Sequence, residues 1–367
     1  MISLFEKFPL LKEKLPYVSL GDFPTPVKKL DRLENHIGVD QLYIKGDDVS
    51  GKIYGGNKVR KLEFLLGSAL ENGVKEVLTY GCAGSNHALA TAVYANKCGM
   101  RSISMLLPQS NAYYIRRNLL MSYHNNAELH HYRSRPSLSS GTRYQLRRHT
   151  SKHGVAPQVI PSGGTTPLGT VGYVNAGFEL SRQIDDGTIP EPTCIYITFG
   201  TMGAAAGLLL GLRAAGLKTR LIAARVVPGF VANPEKFESL FKETNELLHL
   251  ADPSFPIISL TDQDVTLRSE FYGGQYALYT QEGVAAVQLM KETEDIKLDG
   301  CYTGKTLACL VHDAKRGDLK NNVVLFWNTL NSRDFSGHIE SVDYHKLPRA
   351  FHRYFEEDVQ PLDKALT

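Results

Sequence analysis

Twice in this chain an apolar run ends in a glycine-rich turn that opens straight into a helical pattern. Val74-Lys75-Glu76-Val77-Leu78-Thr79-Tyr80 reads as a strand. Gly81 to Gly84 supplies the turn, and Ser85 to Lys97 reads as a helix ended by Cys98-Gly99. Cys194 to Phe199, Gly200-Thr201-Met202-Gly203 and Ala204 to Ala215 repeat that order. Met100 to Leu107, Leu221 to Val227 and Val323 to Trp327 read as further strands. Strands alternating with helices of this length predict an α/β fold with parallel sheets covered on both faces.

Length and composition narrow the reading. Domains run to roughly 100–200 residues, so 367 residues predict two. With 43% hydrophobic and 22% charged residues the chain can bury an ordinary globular core. A formal net charge of +3 is too small to imply nucleic acid or an anionic membrane as partner. Cys82, Cys98, Cys194, Cys301 and Cys309 are odd in number and scattered, which argues against a disulfide framework and a structural zinc site. Glu6 and Lys7 interrupt the apolar start, unlike a signal peptide. No run approaches the ~18 apolar residues of a membrane helix. A cytoplasmic location is expected, without a membrane partner.

The stretch from His124 to His153 differs. It holds Arg133, Arg135, Arg143, Arg147, Arg148 and Lys152 with five histidines. A nucleic-acid patch is one reading; a solvated basic helix and loop is the other, and the preferred one. His130 and His131 are adjacent, so on a helix they point ~100° apart, poor geometry for one metal. No metal is expected.

Three segments carry candidate chemistry. In Gly55-Gly56-Asn57-Lys58-Val59-Arg60-Lys61-Leu62-Glu63 two glycines turn the chain and Lys58 stands at the mouth of an amphipathic helix striped by Val59, Leu62, Leu65 and Leu66. A catalytic amine needs such positioning and partial desolvation; a surface lysine after a loop is the alternative. In Gly84-Ser85-Asn86-His87 the polar residues either cap the helix or bind a carboxylate at its N-terminus. Gly200 to Gly207 either cradles a phosphate or lets helix and strand pack closely.

Taken in order, these segments resemble the pyridoxal 5′-phosphate (PLP)-dependent D-cysteine desulfhydrase and 1-aminocyclopropane-1-carboxylate (ACC) deaminase family, of the tryptophan-synthase-β fold type. The resemblance runs from about Leu20 to about Phe335. It also draws on Asp22-Phe23-Pro24-Thr25-Pro26-Val27, Ile44-Lys45-Gly46-Asp47-Asp48, Ile160 to Gly169 and Cys301-Tyr302-Thr303-Gly304-Lys305. It implies a two-domain PLP enzyme of fold type II, each domain a mainly parallel twisted sheet flanked by helices. The large domain would comprise 1–56 and 169–367, and the small one 57–168, with a homodimer as the usual assembly.

The resemblance also implies roles. Lys58 would hold PLP as a Schiff base and then move the Cα proton, with Asn57 beside it. Asn86 would lie by the ring, and Ser85, Asn86 and His87 would face the substrate. Gly200, Thr201, Met202, Gly203, Ala204 and Ala205 would hold the phosphate. Tyr276 and Tyr302 match active-site tyrosines, and Thr303 would partner the pyridine nitrogen. ACC deaminases place a glutamate there, so Thr303 favours β-elimination from D-cysteine or a similar amino acid, giving pyruvate, ammonia and sulfide. ACC-like ring opening is the first alternative, and a binding role through residues 124–153 the second. The chain departs from the family pattern at Ala204, Gln275, Tyr279 and Asn328.

Overall fold

The predicted strands form and sort into two sheets in the computed structural model, which describes residues 2–366. The strands are β1 (Val27–Lys29), β2 (Gln41–Gly46), β3 (Glu76–Cys82), β4 (Arg101–Leu107), β5 (Glu128–His131), β6 (Gln158–Ile160), β7 (Cys194–Phe199), β8 (Arg220–Arg225), β9 (Val265–Arg268) and β10 (Val323–Asn328). One sheet has the order β1-β2-β10-β7-β8-β9, the other β5-β4-β3-β6. Only β1 pairs antiparallel, at one edge; the other pairs are parallel. Strands buried on both faces read as continuous apolar runs, as in Cys194-Ile195-Tyr196-Ile197 of β7 and Val324 to Trp327 of β10.

The basic stretch differs from its preferred reading. Glu128–His131 is not loop but β5, an edge strand beside β4. The following helix, Arg135–His153, starts from a capping box at Ser134. Part of its charge is held by an acid: Glu128 takes Arg148 at 2.6 Å, and also Arg101 of the neighbouring β4 at 3.1 Å. Alternation too short to show a period, and a sequence dominated by histidine, hid the strand.

The helix Lys58–Glu71 was expected to bury one stripe and buries nearly all its sides. It lies between two cores. Val59, Leu62, Leu65 and Leu66 join the apolar cluster on the small sheet's side. Phe64, on another face, joins the core of the large sheet with Val171, Val174 and Trp327.

Arg60 on this helix closes a fully buried charge network. Its guanidinium donates to Asp47 at 2.7 Å and to Glu179 at 2.9 Å. Lys45 donates to Glu179 at 2.5 Å. Tyr173 and Trp327 donate to Asp47 Oδ2 at 2.6 and 2.8 Å. Burial alone would raise the Glu179 carboxyl, but Arg60 and Lys45 hold it down at about 2. Two residues before Arg60 stands Lys58, so the network fixes the helix start that carries that lysine.

Two glycines shape the turn before Lys58. A Cβ on Gly55 would stand 2.0 Å from the Asp48 carbonyl oxygen, and Gly56 has φ +87°. The helices Pro167–Asp185 and Gly203–Ala214 cross closely at Gly177 and Gly211, where a Cβ would meet backbone at 2.6 Å and 2.2 Å. A Cβ on Gly207 would likewise meet the Thr170 carbonyl oxygen at 2.4 Å, so close packing accounts for the last glycine of the Gly200–Gly207 run. The C-terminal segment returns to the small sheet's side, where Leu347, Phe351 and Tyr354 pack with Ala83, Ala88 and Ala92. Among the described residues no helix is long and apolar enough to cross a membrane, and the five cysteines are unpaired.

Candidate active site

A cavity of about 590 Å³ opens between the two sheets. Its walls come from the segments that follow the C-terminal ends of parallel strands: Cys82 and Ser85 after β3, Pro108 and Gln109 after β4, Ser162 and Gly163 after β6, Gly200 to Met202 after β7, and Thr329 and Leu330 after β10. Open α/β sheets bind ligands at that end, because the loops there face a common crevice.

Lys58 and Lys61 both line the cavity. They lie one turn apart on one helix face, since residues three apart are neighbours. Burial pushes the Lys58 amine down to about 8. Lys61 falls well below the usual lysine range, through burial and the nearby Lys58 charge. Its Nζ donates to the Gly163 carbonyl at 3.1 Å and to Thr165 Oγ1 at 3.3 Å. Neither acceptor is an anion, so among the described residues this buried amine has no counter-charge.

The Gly200 loop supplies the place for one. Met202 adopts φ +67°, and the helix Gly203–Ala214 begins directly after it. The first amides of a helix have no partner one turn back and face an anion favourably. A Cβ on Gly203 would come within 2.6 Å of Lys61 Nζ, and one on Gly163 within 2.2 Å of Thr201 Oγ1. Bare backbone, two hydroxyls and a buried cation converge on one spot. The residues present therefore fit a phosphate-bearing cofactor. The missing hydroxyl at Ala204 leaves Thr201 and Thr165, which hydrogen-bond each other at 2.7 Å, as hydroxyls of this corner.

The opposite wall is polar but uncharged. Ser85 Oγ accepts from the Ala88 amide at 3.1 Å, so it does cap its helix, and it also lines the cavity. Asn86 is steadied by Asn118, whose Nδ2 donates to Asn86 Oδ1 at 2.8 Å. His87 is buried, with Nε2 3.0 Å from Thr79 Oγ1. Burial, with the Lys58 and Lys61 charges, keeps this imidazole neutral far below its ordinary range. The hydroxyls of Tyr276 and Tyr302 stand 2.5 Å apart, and burial raises both phenols above their usual range.

Asp299 is the one carboxylate on the cavity wall among the described residues. Its oxygens accept from the amides of Tyr302 and Cys301 at 2.6 and 2.8 Å and from Thr303 Oγ1 at 2.8 Å. Burial raises its carboxyl above the usual range. Thr303 is fully buried behind this turn and, like Gly203 and Ala205, is not among the lining residues. Asn57, Lys58, Ser85, Asn86, His87, Gly200, Thr201, Met202, Ala204, Tyr276 and Tyr302 all reach the wall.

Sequence reasoning assigned no role to Lys61, Asp299, Arg135 or Phe230. Lys61 had a signal, the i+3 spacing from Lys58. Arg135 had none: it stands at the start of a helix from the small sheet and reaches Phe230 of the opposite side, guanidinium 4.8 Å from the ring centroid, across the cavity mouth.

Comparison with known proteins places this geometry. The family model described as pyridoxal-phosphate dependent enzyme matches residues 18–329. A putative 1-aminocyclopropane-1-carboxylate deaminase of Pyrococcus horikoshii is 33% identical over 319 residues, 86% of this chain and 91% of that protein. A D-cysteine desulfhydrase of Serratia proteamaculans is 32% identical, over 82% of this chain and 90% of its own length. The crystal structure of an ACC deaminase homologue superposes with TM-score 0.74 at 31% identity, covering 90% of this chain and 94% of the other. A fungal L-serine ammonia-lyase from Rhizomucor miehei, at 18% identity and TM-score 0.59 over 88% of this chain and 98% of its own, shares the fold.

Proposed function

The chain belongs to the pyridoxal-phosphate dependent enzymes, in the family of D-cysteine desulfhydrases and ACC deaminases, and from that premise we propose that this lyase eliminates the β-substituent of D-cysteine or a similar small amino acid. The products would be pyruvate, ammonia and sulfide. One observation carries the reading: the cavity joins an amine of lowered pKa, Lys58, to a hydroxyl pair, Tyr276 and Tyr302, with no free carboxylate between them.

PLP, once bound, supplies the electron sink that makes a substrate Cα proton removable. Lys58 is its anchor and then the base for that proton; a lysine near 8 is neutral often enough at physiological pH to act so. Lys61, Thr201 and the first amides of the Gly203 helix hold the phosphate. Asn86 orients the ring, and Ser85 and His87 face the substrate carboxylate. Tyr276 and Tyr302, each still protonated at neutral pH, deliver a proton to the departing group through the shared hydrogen bond.

The choice of β-elimination over ACC ring opening rests on the floor beneath Tyr302. Position 303 holds a neutral hydroxyl already donating to Asp299, and Asp299 itself is pushed toward its neutral form. A hydroxyl committed in this way keeps a pyridine nitrogen protonated less firmly than a glutamate at the same position would. Departure of a stable thiolate asks less of the ring than opening a cyclopropane. We take the working form to be a homodimer, as the family resemblance implies, in the cytoplasm, which the scattered, unpaired cysteines support.

The test reconstitutes the purified protein with PLP and offers D-cysteine, L-cysteine and ACC separately. Sulfide and pyruvate from D-cysteine, together with a visible absorption band absent from Lys58→Ala, bear the proposal out. Keto acid from ACC without sulfide from either cysteine would replace it by ring opening. No cofactor band at all would remove it.

A further inference from the structure

A second constellation lies at the opposite end of β3 from the cavity. Glu76 begins the strand, while Cys82 at its other end lines the cavity. Against Glu76 pack His149 and His153, four residues apart at the end of the helix Arg135–His153. Residues at i and i+4 share a helix face, a spacing that lets two imidazoles grip one ion. One ligand atom from each of the three residues falls within 4.8 Å of the others. His149 Nδ1 is 2.7 Å and His153 Nε2 3.6 Å from Glu76 oxygens.

Three further features fit a cation there. His149 is 1% exposed, and its other ring nitrogen, Nε2, has no hydrogen-bond partner. That orphan stands 3.5 Å from Glu128 Oε1. A neutral imidazole that ligates through Nδ1 carries its proton on Nε2, and a carboxylate beyond that proton is the usual outer support of a metal-bound histidine. The site also sits in the last turn of a 19-residue helix, where the dipole favours positive charge. The neighbouring guanidiniums of Arg101 and Arg148 do not oppose it directly, since both are paired with Glu128.

We propose that Glu76, His149 and His153 form a binding site for one divalent transition-metal ion of the Zn²⁺ class, with Glu128 orienting His149. Two nitrogens and one oxygen suit such an ion and leave a position for water. Ligand atoms around zinc at about 2.1 Å lie roughly 3.4 Å apart, so the His149–Glu76 pair, now at 2.7 Å, opens slightly on binding, and His153, a third exposed and already 3.6 Å from Glu76, is free to adjust. The ion clamps the C-terminal end of this helix to the sheet. The helix's other end carries Arg135 and Leu138 into the cavity wall, so the clamp steadies the mouth without touching the reacting groups.

The experiment titrates chelator-treated, PLP-loaded enzyme with ZnCl₂ by calorimetry and follows the melting temperature in parallel. Wild type is expected to bind one equivalent at micromolar or tighter affinity and to melt higher with zinc. His153→Ala, an exposed position whose loss leaves the core intact, is expected to lose at least about 100-fold in affinity and the zinc-dependent melting shift. Equal binding by His153→Ala and wild type would place the ion elsewhere and overturn the proposal. So would the absence of binding by wild type at millimolar zinc.

Discussion

Two groups of cations meet at the start of one helix, Arg60 with Lys45 of β2 on one side and Lys58 with Lys61 on the other, and they behave in opposite ways. Beneath the cavity, Arg60 and Lys45 meet Asp47 and Glu179, and every charge has a partner. In the cavity, Lys58 and Lys61 form no ion pair among the described residues, and burial drives both amines toward neutrality. A desolvated charge is tolerated in a fold when it is paired. One left unpaired marks a place where something else is meant to bind or react. The comparison separates residues that hold the site from residues that are the site.

The strongest way to sharpen that contrast is Lys58→Ala. Activity should fall by roughly four orders of magnitude or more, the scale seen when a nucleophile or base is removed. The cofactor-free protein should melt no lower than wild type, because no ion pair is lost. Turnover and a thermal melt on the same preparation measure both.

Arg60→Met should show the reverse pattern. It leaves Asp47 and Glu179 buried without their cation, a loss of about 3–5 kcal/mol. Denaturant midpoints should drop sharply. Any folded fraction should keep the cofactor band, and a variant as stable as wild type would break the distinction drawn here.

Lys61→Met falls between. It removes a cation that, in this reading, waits for a phosphate. Charge-assisted hydrogen bonds contribute about 1.5–3 kcal/mol, so PLP affinity should weaken by roughly 10–150-fold while the empty protein stays folded. Equilibrium dialysis against PLP gives the number.

The smallest effect is a pH dependence. Lys58 is lowered from its ordinary 10.5 to about 8 in the folded protein. Between those values the unfolded chain binds more protons than the folded one, so stability rises with pH through that window and is level below it. Cofactor-free wild type should therefore gain about 1 kcal/mol relative to Lys58→Met between pH 8 and 9. A melt at each pH reads the difference, which vanishes if Lys58 titrates normally.

Much of the site was legible in the chain. Asn57-Lys58 after the Gly55-Gly56 turn, Ser85-Asn86-His87 after β3, and the Gly200 loop after β7 all reach one cavity, as strand–turn–helix order requires of parallel sheets. Such signals are local: a glycine that must turn, a hydroxyl that must cap. Lys61 lies within the Gly55 to Glu63 motif and Asp299 two residues before Cys301, but neither has a local signal of its role, because their meaning depends on what lies opposite. The i,i+4 pair His149 and His153 carries no signal along the chain that sets it apart from the other histidines of the basic stretch, because its partner Glu76 lies 73 positions away. β5 was overlooked because four residues carry too little period to declare a strand.

The sequence by itself determined the class of fold and the order of the elements and singled out Lys58 as the proposed amine, since periodicity, turn chemistry and motif spacing are properties of neighbours along the chain. Only the tertiary structure decided which buried charges are paired. It joined Asp47 to Arg60 across 13 positions and Glu179 to Arg60 across 119. It set Lys61 against Gly203 and Arg135 across from Phe230. The reason is physical: whether a charge is held or left wanting depends on the groups that packing places within a few ångströms, and those come from parts of the chain that share no local pattern.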